Sequence, residues 1–150
     1  MATQKGKPRG WFEKLLAVDC ETTGLFFNED DPSYDDKTGK HHQAISWGLI
    51  VADSATLTPI EELYIEVQWD GKSEWNTKAQ EIHGLSKTHL AEHGLPPDDA
   101  AAAIANLIIK HWGPNGNVRL LGHNVLSFDK KFLQRTMRNV GINLKFGSRH

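Results

Sequence analysis

The stretch Ala17–Leu25 reads "AVDCETTGL" and sets two carboxylates, Asp19 and Glu21, two positions apart inside an apolar run. Side chains of an extended strand alternate between faces, so Asp19 and Glu21 share one face while Val18 and Cys20 share the other. Carboxylates placed side by side repel, and one of them would ordinarily take up a proton. A hard divalent cation, Mg2+ or Mn2+, removes that conflict because both oxygens then face one positive centre. The plainer alternative is an edge strand whose acids simply face water. The pair alone does not choose between them.

A third acid changes the weighing. In "SFDKKFLQRTMRNVG" (Ser127–Gly141), advancing ~100° per residue from Phe128 places Phe132 at ~40°, Thr136 at ~80°, Val140 at ~120°, Leu133 at ~140° and Met137 at ~180°. Asp129 falls at ~100°, inside this apolar stripe. Lys130, Lys131, Gln134, Arg135 and Arg138 occupy the opposite arc. The helix dipole favours an acid in the first turn by only about 0.3–1 kcal/mol, which is small against the cost of burying an unpaired carboxylate. A cation shared with Asp19 and Glu21 would satisfy all three.

The elements that must position these acids can be read from local pattern. "EKLLAVDCE" (Glu13–Glu21) is a first strand, with "TTGL" as its exit turn. "AISWGLIVAD" and "IEELYIEVQW" form two more strands, joined too closely for a crossover helix and hence antiparallel. "NTKAQEIHG" is a short helix with Asn76 as N-cap and Gly84 as stop. "PPDDAAAAIANLIIKHWG" is a longer helix, opened by Pro and Asp and carrying Ile104, Leu107, Ile108 and His111 at helical spacing. "VRLLGHN" (Val118–Asn124) is a fourth strand, and the helix carrying Asp129 follows, with Ser127 as N-cap and Gly141 as stop. The order β-β-β-α-α-β-α gives a mixed sheet with helices on its faces, an α/β layered fold.

With 150 residues, the chain is long enough to bury a core within one domain. Residues 1–10 read as a flexible basic tail and 11–150 as the domain. A net charge of −2 argues against non-specific coating of nucleic acid. The charge is uneven: five of the eight residues Glu29–Asp36 are acidic, whereas Lys130–His150 holds six Lys or Arg and no acid. That basic segment leaves room for contacts to a few phosphates. A single cysteine, Cys20, and the lack of a long apolar run point to a reducing, cytoplasmic location without membrane attachment.

Taken together, "VDCETTGL", then "IHGLS", then "LLGHNVLSFDKKFL" resemble the motifs of the DEDDh 3′–5′ exonucleases of the ribonuclease H-like superfamily, which includes polymerase proofreading subunits and oligoribonuclease. The resemblance spans roughly Leu15 to Val140. It implies a ribonuclease H-like mixed sheet, strands 1–3 antiparallel and strand 4 parallel to strand 1, with Asp19 and Glu21 on its middle strand. It also implies that Asp19, Glu21 and Asp129 are metal-binding catalytic acids holding two ions, Mg2+ or Mn2+. Thr22, Thr23, Gly24, Leu25, His83, His123, Asn124 and Phe128 would contact the terminal nucleotide. The substrate implied is the 3′ end of single-stranded DNA or RNA, and the partner a polymerase or another replication or repair protein.

The family's last motif, His-x4-Asp, supplies the general base and a fourth acid, and no such spacing occurs after Asp129. The chain is therefore read as the N-terminal portion of an exonuclease lacking the last elements of the fold, unless "INLKF" (Ile142–Phe146) belongs to the final strand. A non-catalytic module that binds nucleic-acid ends is the alternative function. Among other residues, His41 and His42 read as solvated loop, His111 as packed or capping, and Trp69 and Trp75 as core or rim packing. His89 and His93 are four apart, but Gly94 and the following prolines argue against a helix that presents them jointly. Cys20, with an acid on each side, faces the core and is not a nucleophile.

Overall fold

The computed structural model describes residues 13–24, 42–123, 125 and 128–146. Leu25, His41, Asn124 and Ser127, the acidic loop and the basic tail lie outside the described residues. β1 (Lys14–Thr22), β2 (Ala44–Asp53) and β3 (Pro59–Glu66) form an antiparallel meander. There follow α1 (Thr77–His83), α2 (Lys87–His93) and α3 (Pro97–Trp112), then β4 (Asn117–Val118), β5 (Leu120–Leu121), α4 (Asp129–Arg138) and β6 (Lys145–Phe146). The four-stranded sheet runs β3-β2-β1-β5, with β5 parallel to β1. β1, the strand with the two acids, is thus internal to a mixed α/β sheet.

Alternation along the strands decides which face is covered. Leu16, Val18 and Cys20 of β1 and Trp47, Leu49 and Val51 of β2 are all buried on one face. That face meets Ile104, Leu107 and Ile108 of α3 and Phe132, Leu133 and Met137 of α4. The apolar periodicity of each helix therefore lands where the wheel puts it. Pro97 opens α3 with Asp98 and Asp99 in its first turn, and Gly113 at φ 77° ends it. The other face bears Ala17, Asp19, Gly48, Ile50, Glu62, Tyr64 and Leu121, which line a broad depression of about 630 Å³.

Several elements differ from the local reading. α2 is an additional helix: Ser86 caps it by accepting the His89 N–H, and it does end at Gly94. It presents His89 and His93 together, ring centroids 4.7 Å apart, because seven residues suffice for one i, i+4 pair. The single strand expected over Val118–Asn124 is two short pieces, and only Leu120 and Leu121 pair with β1. "INLKF" contributes β6, which pairs with β4 in a separate two-stranded sheet rather than with the main sheet. α4 is shorter than Ser127–Gly141, and Phe128 stands at its N-cap without a side-chain capping bond. No described helix is long and apolar enough to cross a membrane.

Candidate active site

β5 pairs with β1 at Leu16 and Ala17, and among the described residues no strand pairs with the edge of β1 beyond Ala17 on that side. Asp129, at the first position of α4, occupies that edge. It is 4% exposed, and its Oδ1 accepts from the Cys20 thiol at 2.8 Å, with the Cys20 backbone N–H contributing a further bond. Phe132 and Leu133, one turn on, anchor α4 in the core and hold the carboxylate there. The inward acid of the wheel is thus an inward acid of the fold.

Asp19 is exposed and Glu21 half-buried on the face opposite Cys20. Desolvation, and then the neighbouring Asp19 charge, raise the Glu21 pKa, while His83 pulls it back. Asp129 is likewise raised, chiefly by desolvation, with Asp19 adding to the rise and the Cys20 bonds opposing it. Burial and the Asp129 charge push the Cys20 thiol well above its usual value, so it stays a protonated donor. The three acids feel one another, yet Asp129 is turned to Cys20. Among the described residues, as the side chains stand, no three or more His, Cys, Asp or Glu are gathered into a metal-binding cluster. By donor type the carboxylates suit a hard divalent cation; by arrangement they are two strand acids with a third at the adjoining edge.

A buried acid with a raised pKa has a measurable consequence. The folded state favours protonated Asp129, so that contribution to stability is complete below the ordinary carboxylate range and is lost as pH rises through the raised value. Asp129→Asn keeps an acceptor for Cys20 but cannot ionise. Thermal melts in chelator should show the variant gaining on the native chain as pH rises from 4 to 7, with the gap closing at the acid end. A gap independent of pH would refute the assignment.

The turn after β1 is tightly tied. Thr22 donates its hydroxyl to the Gly24 carbonyl at 2.6 Å. Thr23 donates its N–H to the Gln43 carbonyl, accepts the Gln43 N–H on Oγ1, and accepts the Asn76 N–H on its own carbonyl. Gly24 lies against the His42 imidazole so closely that a Cβ there would overlap the ring. His42 is therefore 3% exposed and packed, not solvated loop. Arg135, placed on the outer arc by the wheel, instead reaches back to donate to the His42 carbonyl at 3.0 Å. Its long side chain lets the guanidinium leave the side of the helix on which its Cα lies.

His83 closes α1. Its Nδ1 accepts the Leu85 N–H at 3.0 Å, which in the neutral ring leaves the proton on Nε2. That Nε2 is buried, with no hydrogen-bond partner among the described residues. His123 is exposed and lines the depression that also contains Asp19. Phe128 is half-buried, with its ring 5.0 Å from that of Phe132. His111 is packed as expected, set between Glu61 at 2.7 Å and Lys14 at 3.1 Å. Gln43 escaped the sequence reading: it also donates to the Gln68 carbonyl and accepts the Asp70 N–H, and only its place next to an apolar run hinted at it.

The chain matches no protein-family profile and no curated protein sequence. Its fold does match solved structures. Escherichia coli exonuclease I in complex with a dT13 oligonucleotide superposes with a TM-score of 0.67 at 17% identity, covering 87% of this chain and 25% of that one. An ExoI/SSB-Ct complex gives 0.68 at 16% identity, over 90% and 28%. The zinc-bound form of the E. coli ExoI–single-stranded DNA complex gives 0.66 at 17%, over 87% and 24%. The chain spans about a quarter of the length of these structures and shares their α/β exonuclease fold.

Proposed function

We propose that this chain carries metal-binding acids of a metal-dependent exonuclease, one that removes nucleotides from the 3′ ends of single-stranded nucleic acid. The carrying observation is Asp19 and Glu21 on the internal strand of an exonuclease-type sheet, with the buried Asp129 at that strand's edge. The Glu21 pKa is raised by burial first and then by the neighbouring Asp19 and Asp129 charges, as in sites where carboxylates await a positive partner. Asp19, Glu21 and Asp129 would hold Mg2+ or Mn2+. Bound divalent ions polarise a phosphodiester and lower the pKa of an attacking water.

The rest is the work of the chain itself. The Thr22–Gly24 turn, braced by Gln43 and Asn76, gives a terminal nucleotide a rigid wall. His83 offers a buried N–H that no group among the described residues accepts, near enough to Glu21 to alter it. Exonuclease I bound to dT13 supports single-stranded DNA as the substrate, and the ExoI/SSB-Ct complex supports a replication or repair protein as partner.

The test is digestion of end-labelled single-stranded DNA and RNA with Mg2+ or Mn2+, then with chelator. Shortening from the 3′ end should require metal, and chelator-resistant cleavage would overturn the proposal. The 150 residues alone should turn over very slowly, because no His-x4-Asp follows Asp129. Oligonucleotide binding without any cleavage, even by the longest product of the reading frame, would favour the end-binding module.

A further inference from the structure

Four of the chain's five tryptophans lie among the described residues, and they fall into two pairs. Trp47 and Trp112 are core residues, 1% and 5% exposed. Trp69 and Trp75, in the loop between β3 and α1, stay partly exposed and meet edge to face, with centroids 5.9 Å apart. Their indole N–H groups are already used: Trp69 donates to the Ser73 carbonyl and Trp75 to Gln80 Oε1, each at 2.9 Å. What they leave open is aromatic surface. Over it lies Lys87, an exposed residue at the start of α2, with Nζ 4.0 Å from the Trp69 centroid and 5.4 Å from that of Trp75. Among the described residues no carboxylate pairs with Lys87.

This platform is rigidly joined to the candidate active site. Asp70 accepts the N–H groups of Lys72 and Ser73 and the Ser73 hydroxyl, which freezes the loop. Gln43 bonds to both Gln68 and Asp70 on one side and to Thr23 on the other. Asn76, next to Trp75, donates to the Thr23 carbonyl at 2.7 Å. The Trp75 ring is also 6.5 Å from that of His83. A contiguous path thus leads from the turn after Asp19 and Glu21, past His83, to the two indoles.

We propose that Trp69, Trp75 and Lys87 form a second subsite of the nuclease, where bases behind the 3′ end stack on the indoles and Lys87 takes a backbone phosphate. This rests on the exonuclease reading above and adds to it where the strand lies. Indoles with satisfied N–H groups and open π surface bind any base, so the subsite grips without reading sequence. The Lys87 cation rests on aromatic surface that a base would cover, and a phosphate is the stronger partner for it once a strand arrives.

The decisive measurement is fluorescence anisotropy of 5′-fluorescein-labelled oligo(dT) of two to twelve nucleotides, with Ca2+ replacing Mg2+ to suppress cleavage. Native chain should bind longer oligonucleotides more tightly. Trp69→Ala or Trp75→Ala should weaken binding of the longer ones by about 5- to 100-fold and leave the dinucleotide unchanged. Lys87→Ala should reduce the slope of log affinity against log salt by about one charge, again only for longer strands. Lys87 is exposed, so its variant decides the matter should a tryptophan variant fail to fold. If the native chain prefers long strands while the folded variants bind every length as it does, the subsite is refuted and the nuclease reading stands. Failure of the native chain to bind any length refutes both.

Discussion

Asp19→Asn is expected to reduce metal-dependent release of 3′ nucleotides by about 10²–10³-fold or more, the scale on which a single group stabilising transition-state charge is felt. The amide keeps the shape of the side chain and removes its charge, so what is lost is attraction for the cation rather than packing. Asp19 is exposed, and a surface change of this kind alters stability within about 0.5 kcal/mol. Loss of activity at unchanged stability is therefore the signature. A second consequence follows on Glu21, whose pKa Asp19 helps to raise: the variant should let Glu21 ionise at lower pH. The check is a time course of 5′-labelled strand shortening by the longest product of the reading frame, beside urea unfolding. Turnover within a few-fold of the native enzyme would remove Asp19 from the site.

Phe132→Ala should produce the largest loss of stability, about 3–5 kcal/mol for a buried aromatic truncated to alanine. Phe132 is 1% exposed and among the largest fully buried side chains of the core. It lies one turn beyond Asp129 on α4 and contacts Phe128, so its loss loosens the helix that holds the acid. A loss of that size is a large fraction of the 5–15 kcal/mol typical of a domain. Phe132→Leu, which keeps most of the volume, should cost clearly less. Urea titrations of the two variants separate the outcomes, and a cost below about 1 kcal/mol for the alanine variant would mean α4 is not anchored as the packing indicates.

The features legible in the sequence were those set by local periodicity. Period two along Leu16–Cys20 divided β1 into a core face and an acid face before any contact was known. Period 3.6 along Phe128–Val140 turned Asp129 inward with Phe132 and Leu133. The short "SATLTP" connection excluded a crossover and made β2 and β3 antiparallel. Where a signal was short or its outcome depended on a remote partner, the reading went astray. α2 is seven residues long and lies between two helix stops, too brief for a periodic pattern to stand out. His42 looks like loop in a polar context, and only the fold brings Gly24 beneath its ring.

What the order of residues determined by itself was which side chains face inward, because strand and helix geometry are properties of the local backbone. It did not determine what those side chains meet. That Asp129 meets Cys20, 109 positions away, and that Gln43 bolts the Trp69–Trp75 loop to Thr23, are outcomes of tertiary packing. Among the described residues β5 pairs with β1 over two residues, and the edge of β1 beyond them must find partners from whichever element packing brings alongside. The strand could announce its acids; only the assembled sheet could decide who would stand beside them.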